Sequence, residues 1–137
     1  MTTTPAAYIL GDLHGDPGLV LDTLRAHAVA QAASGSPDGM VWWIDDTGPD
    51  HDRCLIVGVR GTCGVLVWDD HDSGTYIPAD GTNTTTVDYY TATGEHYPQQ
   101  PGRELALDRV LAAVAEFVST GRQPTSVEWV ADTRPRA

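Results

Sequence analysis

The sequence predicts an α+β fold, an antiparallel sheet of about five to seven strands with two helices packed on one face. Three observations carry that prediction. Short apolar runs separated by glycine, proline and aspartate recur through the middle of the chain, as strands joined by turns do. Only two segments show helical periodicity, and each has a single apolar stripe, so each has one face to bury. The second of these segments returns through a glycine and a proline directly into an alternating strand pattern.

That last segment, 104–129, is the best specified. Leu107, Leu111, Val114 and Val118 recur at four-three-four spacing, Val110 and Phe117 widen the stripe, and Asp108, Arg109 and Glu116 fall on the wet face. Gly121 follows where a left-handed residue ends a helix, and Pro124 lacks the amide that further helix would need. The spacing therefore predicts a helix from Glu104 to near Thr120, then a strand in which Val127 and Trp129 share one side.

In chain order, residues 6–10 read as a short strand. Asp16-Pro17 opens a helix with aspartate as N-cap and proline at the first helical position, and Val20, Leu21, Leu24 and Ala28 form its stripe. It fades into the loop 33–39. Strands follow at 40–44, 55–59 and 65–68, the latter two joined by a hairpin through Arg60-Gly61-Thr62. Shorter strands surround Tyr76-Ile77 and span 86–91, with loops marked by Gly81, Gly94 and the 98–102 stretch.

A chain of 137 residues suits one domain. Nineteen acidic against eight basic residues give a formal charge of −11, and no lysine is present. Nucleic acid and anionic membranes are repelled by such a chain, whereas a basic protein partner is attracted. Ordinary acidic solubility accounts for the same excess. The N-terminus lacks the basic region and apolar core of a signal peptide, and no apolar run approaches the ~20 residues that cross a bilayer. A cytoplasmic protein is expected, with Cys54 and Cys63 as reduced, small apolar residues.

The octet from Ile9 to Asp16, ILGDLHGD, looks like the metal-binding opening of calcineurin-like metallophosphoesterases. That class needs a second metal and a phosphate clamp, including an Asn-His pair. The single asparagine, Asn83, is followed by Thr84, so no such pair exists. We read the octet as strand, turn and helix cap, and expect no metal, no cofactor and no catalytic residue. Two acidic clusters remain, Asp45-Asp46 with Asp50 and Asp52, and Asp69-Asp70 with Asp72, each at a strand end with a histidine, His51 or His71. Three readings fit them, namely solvated turns, a partner-facing patch, or a divalent-metal site. Trp42 and Trp43 are adjacent, so in a strand one must leave the helix-covered face and is exposed unless a loop covers it. An indole beside carboxylates suits a protein interface. The candidate partner-binding residues are therefore Trp42, Trp43, Asp45, Asp46, Asp50, Asp52, Asp69, Asp70 and Asp72.

The order Ala113-Val114, Phe117-Val118, Thr120-Gly121, Pro124 and Val127-Glu128-Trp129 resembles the C-terminal signature of an immunity-protein family, the first-numbered one of bacterial polymorphic toxin systems. The likeness extends more loosely upstream through 54–59, Gly64-Val65-Leu66 and 69–76, although Leu105-Ala106-Leu107 stands where the family usually has a proline. The resemblance implies a protein that binds and blocks a cognate toxin, often a nucleic-acid deaminase. A small acidic binding module unrelated to toxins is the alternative.

Overall fold

The computed structural model describes residues 7–48 and 51–132. In chain order these form β1 (Ala7–Ile9), a 3-10 turn (Leu10–Leu13), α1 (Gly18–Ser34), β2 (Gly39–Gly48), β3 (His51–Arg60) and β4 (Cys63–Asp70). There follow β5 (Gly74–Pro78), β6 (Tyr89–Thr91), β7 (Glu104–Ala106), α2 (Leu107–Thr120) and β8 (Trp129–Ala131). The fold is α+β, as expected.

One open sheet of eight strands follows the path β1-β2-β3-β4-β5-β8, with β6 added to β2 and β7 to β4. It is mostly antiparallel, but β1 and β6 run parallel to β2. A parallel pair needs a crossover, and α1 is that crossover between β1 and β2. The extra strand is β7, which takes the first three residues of the predicted helix and pairs them with Cys63, Gly64 and Val65. A partner strand outweighs the good helix propensity of Glu-Leu-Ala there.

Both helices lie on one face. Trp42 and Ile44 of β2, Leu55 and Val57 of β3 and Trp68 of β4 meet Val20 and Leu24 of α1 and Val114 and Phe117 of α2 in the main core. Each fully buried aliphatic side chain in it contributes on the order of 2 kcal/mol. The opposite face is covered in part as well, for Val41, Ile56, Val65 and Val67 are buried there, in a second cluster with Tyr89. Glycine at 39 and 58 leaves the space that the Tyr89 ring occupies, since a Cβ at either position would strike it. Central strands covered on both sides read as unbroken apolar runs, as Leu55-Ile56-Val57 does.

The C-terminal end of α2 follows the predicted chemistry, whereas α1 begins one residue later than expected, with Pro17 rather than Asp16 at its N-cap. Asp16 Oδ1 accepts the Gly18 amide at 2.9 Å. Gly121 has φ 68° and donates its amide to the Phe117 carbonyl. Beyond it, the Trp129 indole donates to the Pro124 carbonyl at 2.8 Å. Glu116, read as a wet-face residue, instead accepts the Thr125 amide and hydroxyl, both at 2.7 Å, and so holds the turn to the helix. Gly121→Val should cost about 1–2 kcal/mol or more, because an L side chain resists the left-handed region. Denaturant unfolding would measure it, and an unchanged midpoint would mean that the turn rearranges freely.

Candidate interaction face

The two acidic clusters, apart in sequence, meet across the sheet. Asp45, Asp46 and Asp52 do not sit in a strand-end turn, because β2 and β3 pair from Met40↔Val59 out to Gly48↔His51. Asp45 lies opposite Cys54, and Cys54 lies opposite Asp69. Asp69 lies opposite Thr75 in turn. All four belong to the helix-free face, by the same alternation that puts Leu55 and Trp68 on the helix side. Asp52, two residues before Cys54, shares this face and is exposed. Ile9 of β1 lies beside Asp45 and is 49% exposed, so the row has an apolar end.

The thiol of Cys54 sits between two carboxylates. Burial pushes its pKa far up, and a hydrogen bond to Asp45 together with the charges of Asp45 and Asp69 adds to that. It stays a neutral thiol donor in the row. Asp69 also accepts the Thr75 hydroxyl at 3.1 Å. Cys63 is remote, opposite Arg60 at the far end of β3. Six residues of strand, about 20 Å, separate the two cysteines, and both are free.

The tryptophans divide as adjacency requires. Trp42 is fully buried under α1, edge-on to His27 at 5.0 Å. It is core, and the expectation that it is a partner contact is corrected on that ground. Trp43 emerges on the helix-free face, half-buried, with Tyr97 edge-on at 5.5 Å. A loop therefore covers it in part. Tyr97 is held there by its amide bond to the Tyr89 carbonyl, 2.7 Å. It escaped sequence reading because it stands in a stretch rich in loop residues. The alternation of Tyr89 and Thr91 with Glu95 and Tyr97 about Gly94 was the available signal.

Not every predicted aspartate joins this face. Asp46 points to the helix side and forms an ion pair with Arg53 at 2.7 Å, and Arg53 also donates to the Gly121 carbonyl at 2.7 Å. It fastens α2 to the sheet. Asp70 accepts the Asp72 and Ser73 amides, 2.9 and 3.4 Å, which makes it a turn residue. Asp72 is exposed on that turn, and Asp50 lies outside the described residues. Among the described residues, no group of three His, Cys, Asp or Glu is arranged to hold a metal. Asp12, His14 and Asp16 of the octet are exposed on a 3-10 turn and helix cap, as read.

A second polar cluster had no sequence signal. The carboxylate of Glu104, 3% exposed, accepts both Arg60 Nε (2.8 Å) and Nη2 (2.6 Å), the Tyr89 hydroxyl (2.6 Å) and the Cys63 thiol (3.3 Å). Burial first, then its bonds to Glu104, push the Tyr89 hydroxyl up, while burial and Glu104 raise the Cys63 thiol to about 11. These groups do not ionise near neutrality, so the cluster is a fixed anchor. It is completed by Asn83, whose side-chain oxygen accepts the Arg103 and Glu104 amides at 2.7 and 2.8 Å. Together they tie the 79–103 segment, and with it Tyr97, over the helix-free face.

Four of the eight arginines, Arg53, Arg60, Arg103 and Arg109, pair with Asp46, Glu104, Asp132 and Asp80. With a formal charge of −11, the chain carries an excess of acid. No helix among the described residues is long and apolar enough to cross a membrane. Comparison with curated proteins and with solved structures found no match. The family described as Immunity protein Imm1, in contrast, matches residues 16–131, from the cap of α1 to the last residue of β8. That match covers most of the chain and both faces of the sheet, and the chain belongs to the Imm1 family of immunity proteins.

Proposed function

We propose that the chain neutralises a nucleic-acid deaminase toxin by laying its helix-free face across the toxin's basic substrate groove. The observation that carries this reading is the convergence of Asp45, Asp52 and Asp69 from three strands beside the half-exposed Trp43. A toxin that holds DNA or RNA lines its groove with arginine and lysine. Carboxylates on a rigid sheet compete for those cations, and the indole with Tyr97 supplies an apolar anchor inside a charged rim. The protein acts by binding, as one domain, in the cytoplasm, and performs no chemistry of its own. The deaminase class rests on the family resemblance, and the acidic balance gives it a physical reason.

Co-expression with the toxin encoded by the neighbouring gene tests this. The expected result is a stable complex in which toxin activity is lost and labelled single-stranded nucleic acid no longer binds. A complex that still binds its nucleic acid at full affinity would sink the occlusion reading. A neighbouring toxin of another enzymatic class would sink the deaminase reading.

A further inference from the structure

The cover that Tyr97 forms over Trp43 is carried by an excursion of the chain whose two limbs converge on Asn83. Residues 87–91 and 95–99 face each other as an antiparallel pair, with Val87 opposite Gln99 and Tyr90 opposite His96. Val87 and Gln99 exchange both amide bonds at 2.8 Å, the Tyr97 amide reaches the Tyr89 carbonyl at 2.7 Å, and His96 Nε2 meets Asp88 Oδ1 at 2.8 Å. One limb is fastened to the sheet, because β6 pairs with β2 and the Tyr89 ring is fully buried. The other limb bears Tyr97 and leaves for β7 through Gln100 and Gly102, where it meets Asn83.

We propose that Asn83 is a positioning residue of the toxin-binding face, holding the Tyr97 limb where Tyr97 and Trp43 form one apolar anchor. The proposal rests on the reading of the helix-free face as that surface. Asn83 is half-buried and uses every hydrogen-bonding position of its side chain. Its Oδ1 accepts the Arg103 and Glu104 amides at 2.7 and 2.8 Å, and its Nδ2 donates to the Thr85 and Gln100 carbonyls, both at 2.9 Å. Its own carbonyl accepts the Gly102 amide at 2.9 Å. One residue thus joins the start of the excursion, its end and the head of β7. The limbs cross in close contact there, since a Cβ at Gly81 would strike the Gly102 carbonyl. Aspartate has the same shape but no donors, and it would turn an oxygen toward the Thr85 and Gln100 carbonyls. An anchor set in place beforehand spares the ordering cost that binding otherwise meets. A limb in place for only part of the time weakens apparent affinity in proportion to that fraction.

Asn83→Asp is the decisive variant, because steering and positioning give it opposite signs. It adds a carboxylate to an acidic protein, so steering alone should quicken association with a basic toxin. Loss of the clamp should instead slow association about three- to ten-fold, the factor by which the competent conformation is depleted. Asn83→Ala changes no charge and should slow it by a similar factor at low and high salt alike, since screening does not restore a missing conformation. In the free protein, hydrogen exchange followed by NMR should show the Tyr97 and Gln99 amides exchanging about ten-fold faster in both variants, as the loss of one or two hydrogen bonds gives. The amides of β3 and β4 should exchange as slowly as in the parent. Asn83→Asp keeps the acceptor for the Arg103 and Glu104 amides, so it decides the matter if Asn83→Ala does not fold. Parent-like or faster association of Asn83→Asp overturns the proposal, as does unchanged exchange at Tyr97. Trp43→Ala separates this proposal from the reading beneath it. If Trp43→Ala weakens toxin binding and the Asn83 variants do not, the clamp alone is wrong. If none of them does, the binding face is wrong and the clamp falls with it.

Discussion

Glu104→Ala is expected to lose about 3–5 kcal/mol of folding stability, the range for breaking a buried ion pair by removing one partner. The carboxylate is 4% exposed in its side chain and neutralises the Arg60 guanidinium, whose own side chain is 27% exposed. Its removal leaves that cation and the fully buried Tyr89 hydroxyl without their acceptor. Tyr89→Phe removes one donor and leaves the Arg60 bonds intact, so about 1 kcal/mol is expected. Burial would raise the Glu104 carboxyl, but the bonds from Arg60, Tyr89 and Cys63 outweigh it and hold the group below the ordinary carboxylate range. The folded-state pKa is depressed, so this contribution is complete above the unfolded value, about 4.3, and is lost as pH falls through the lower folded one. Urea unfolding at neutral pH and at pH about 3 measures both effects. Equal stability of Glu104→Ala and parent at neutral pH would remove the cluster as an anchor.

What sequence could foresee divides by distance along the chain. The α2–Gly121–Pro124 unit was legible because stripe, cap and breaker act over a few residues, and the opposite facing of Trp42 and Trp43 followed from strand period alone. The length of β2 and β3 was not. Aspartate is a poor strand residue, so Asp45, Asp46 and Asp52 read as turn, whereas pairing with Cys54, Arg53 and Thr47 overrides that preference. Register between strands is set by the whole sheet, and only register reveals that Asp45 and Asp69 flank one thiol while Asp46 serves the other face. The Glu104 cluster is equally non-local, joining residues up to 44 positions apart.

Charge and indole on the helix-free face should separate kinetically. Neutralising half-buried Asp45 and Asp69 to asparagine and reversing exposed Asp52 to lysine should slow association with the toxin about ten- to a hundred-fold at low salt. Asparagine is chosen because it keeps the shape of side chains that bond Cys54 and Thr75. Dissociation should change little, since screening and steering act on encounter. High salt should bring the parent down to the rate of the triple variant. Trp43→Ala should leave association nearly intact and speed dissociation roughly thirty-fold, the equivalent of about 2 kcal/mol for an anchoring aromatic. Asp46→Asn belongs to a different class, because it frees Arg53 from its partner between the sheet and α2. It should lower stability and leave the association rate of the folded protein near that of the parent. Stopped-flow traces on the cognate pair, with circular dichroism to show that each variant is folded, report all of these. A triple variant that associates as fast as the parent at low salt would make Asp45, Asp52 and Asp69 mere sheet polarity, and the toxin-binding face would then lie elsewhere on the molecule.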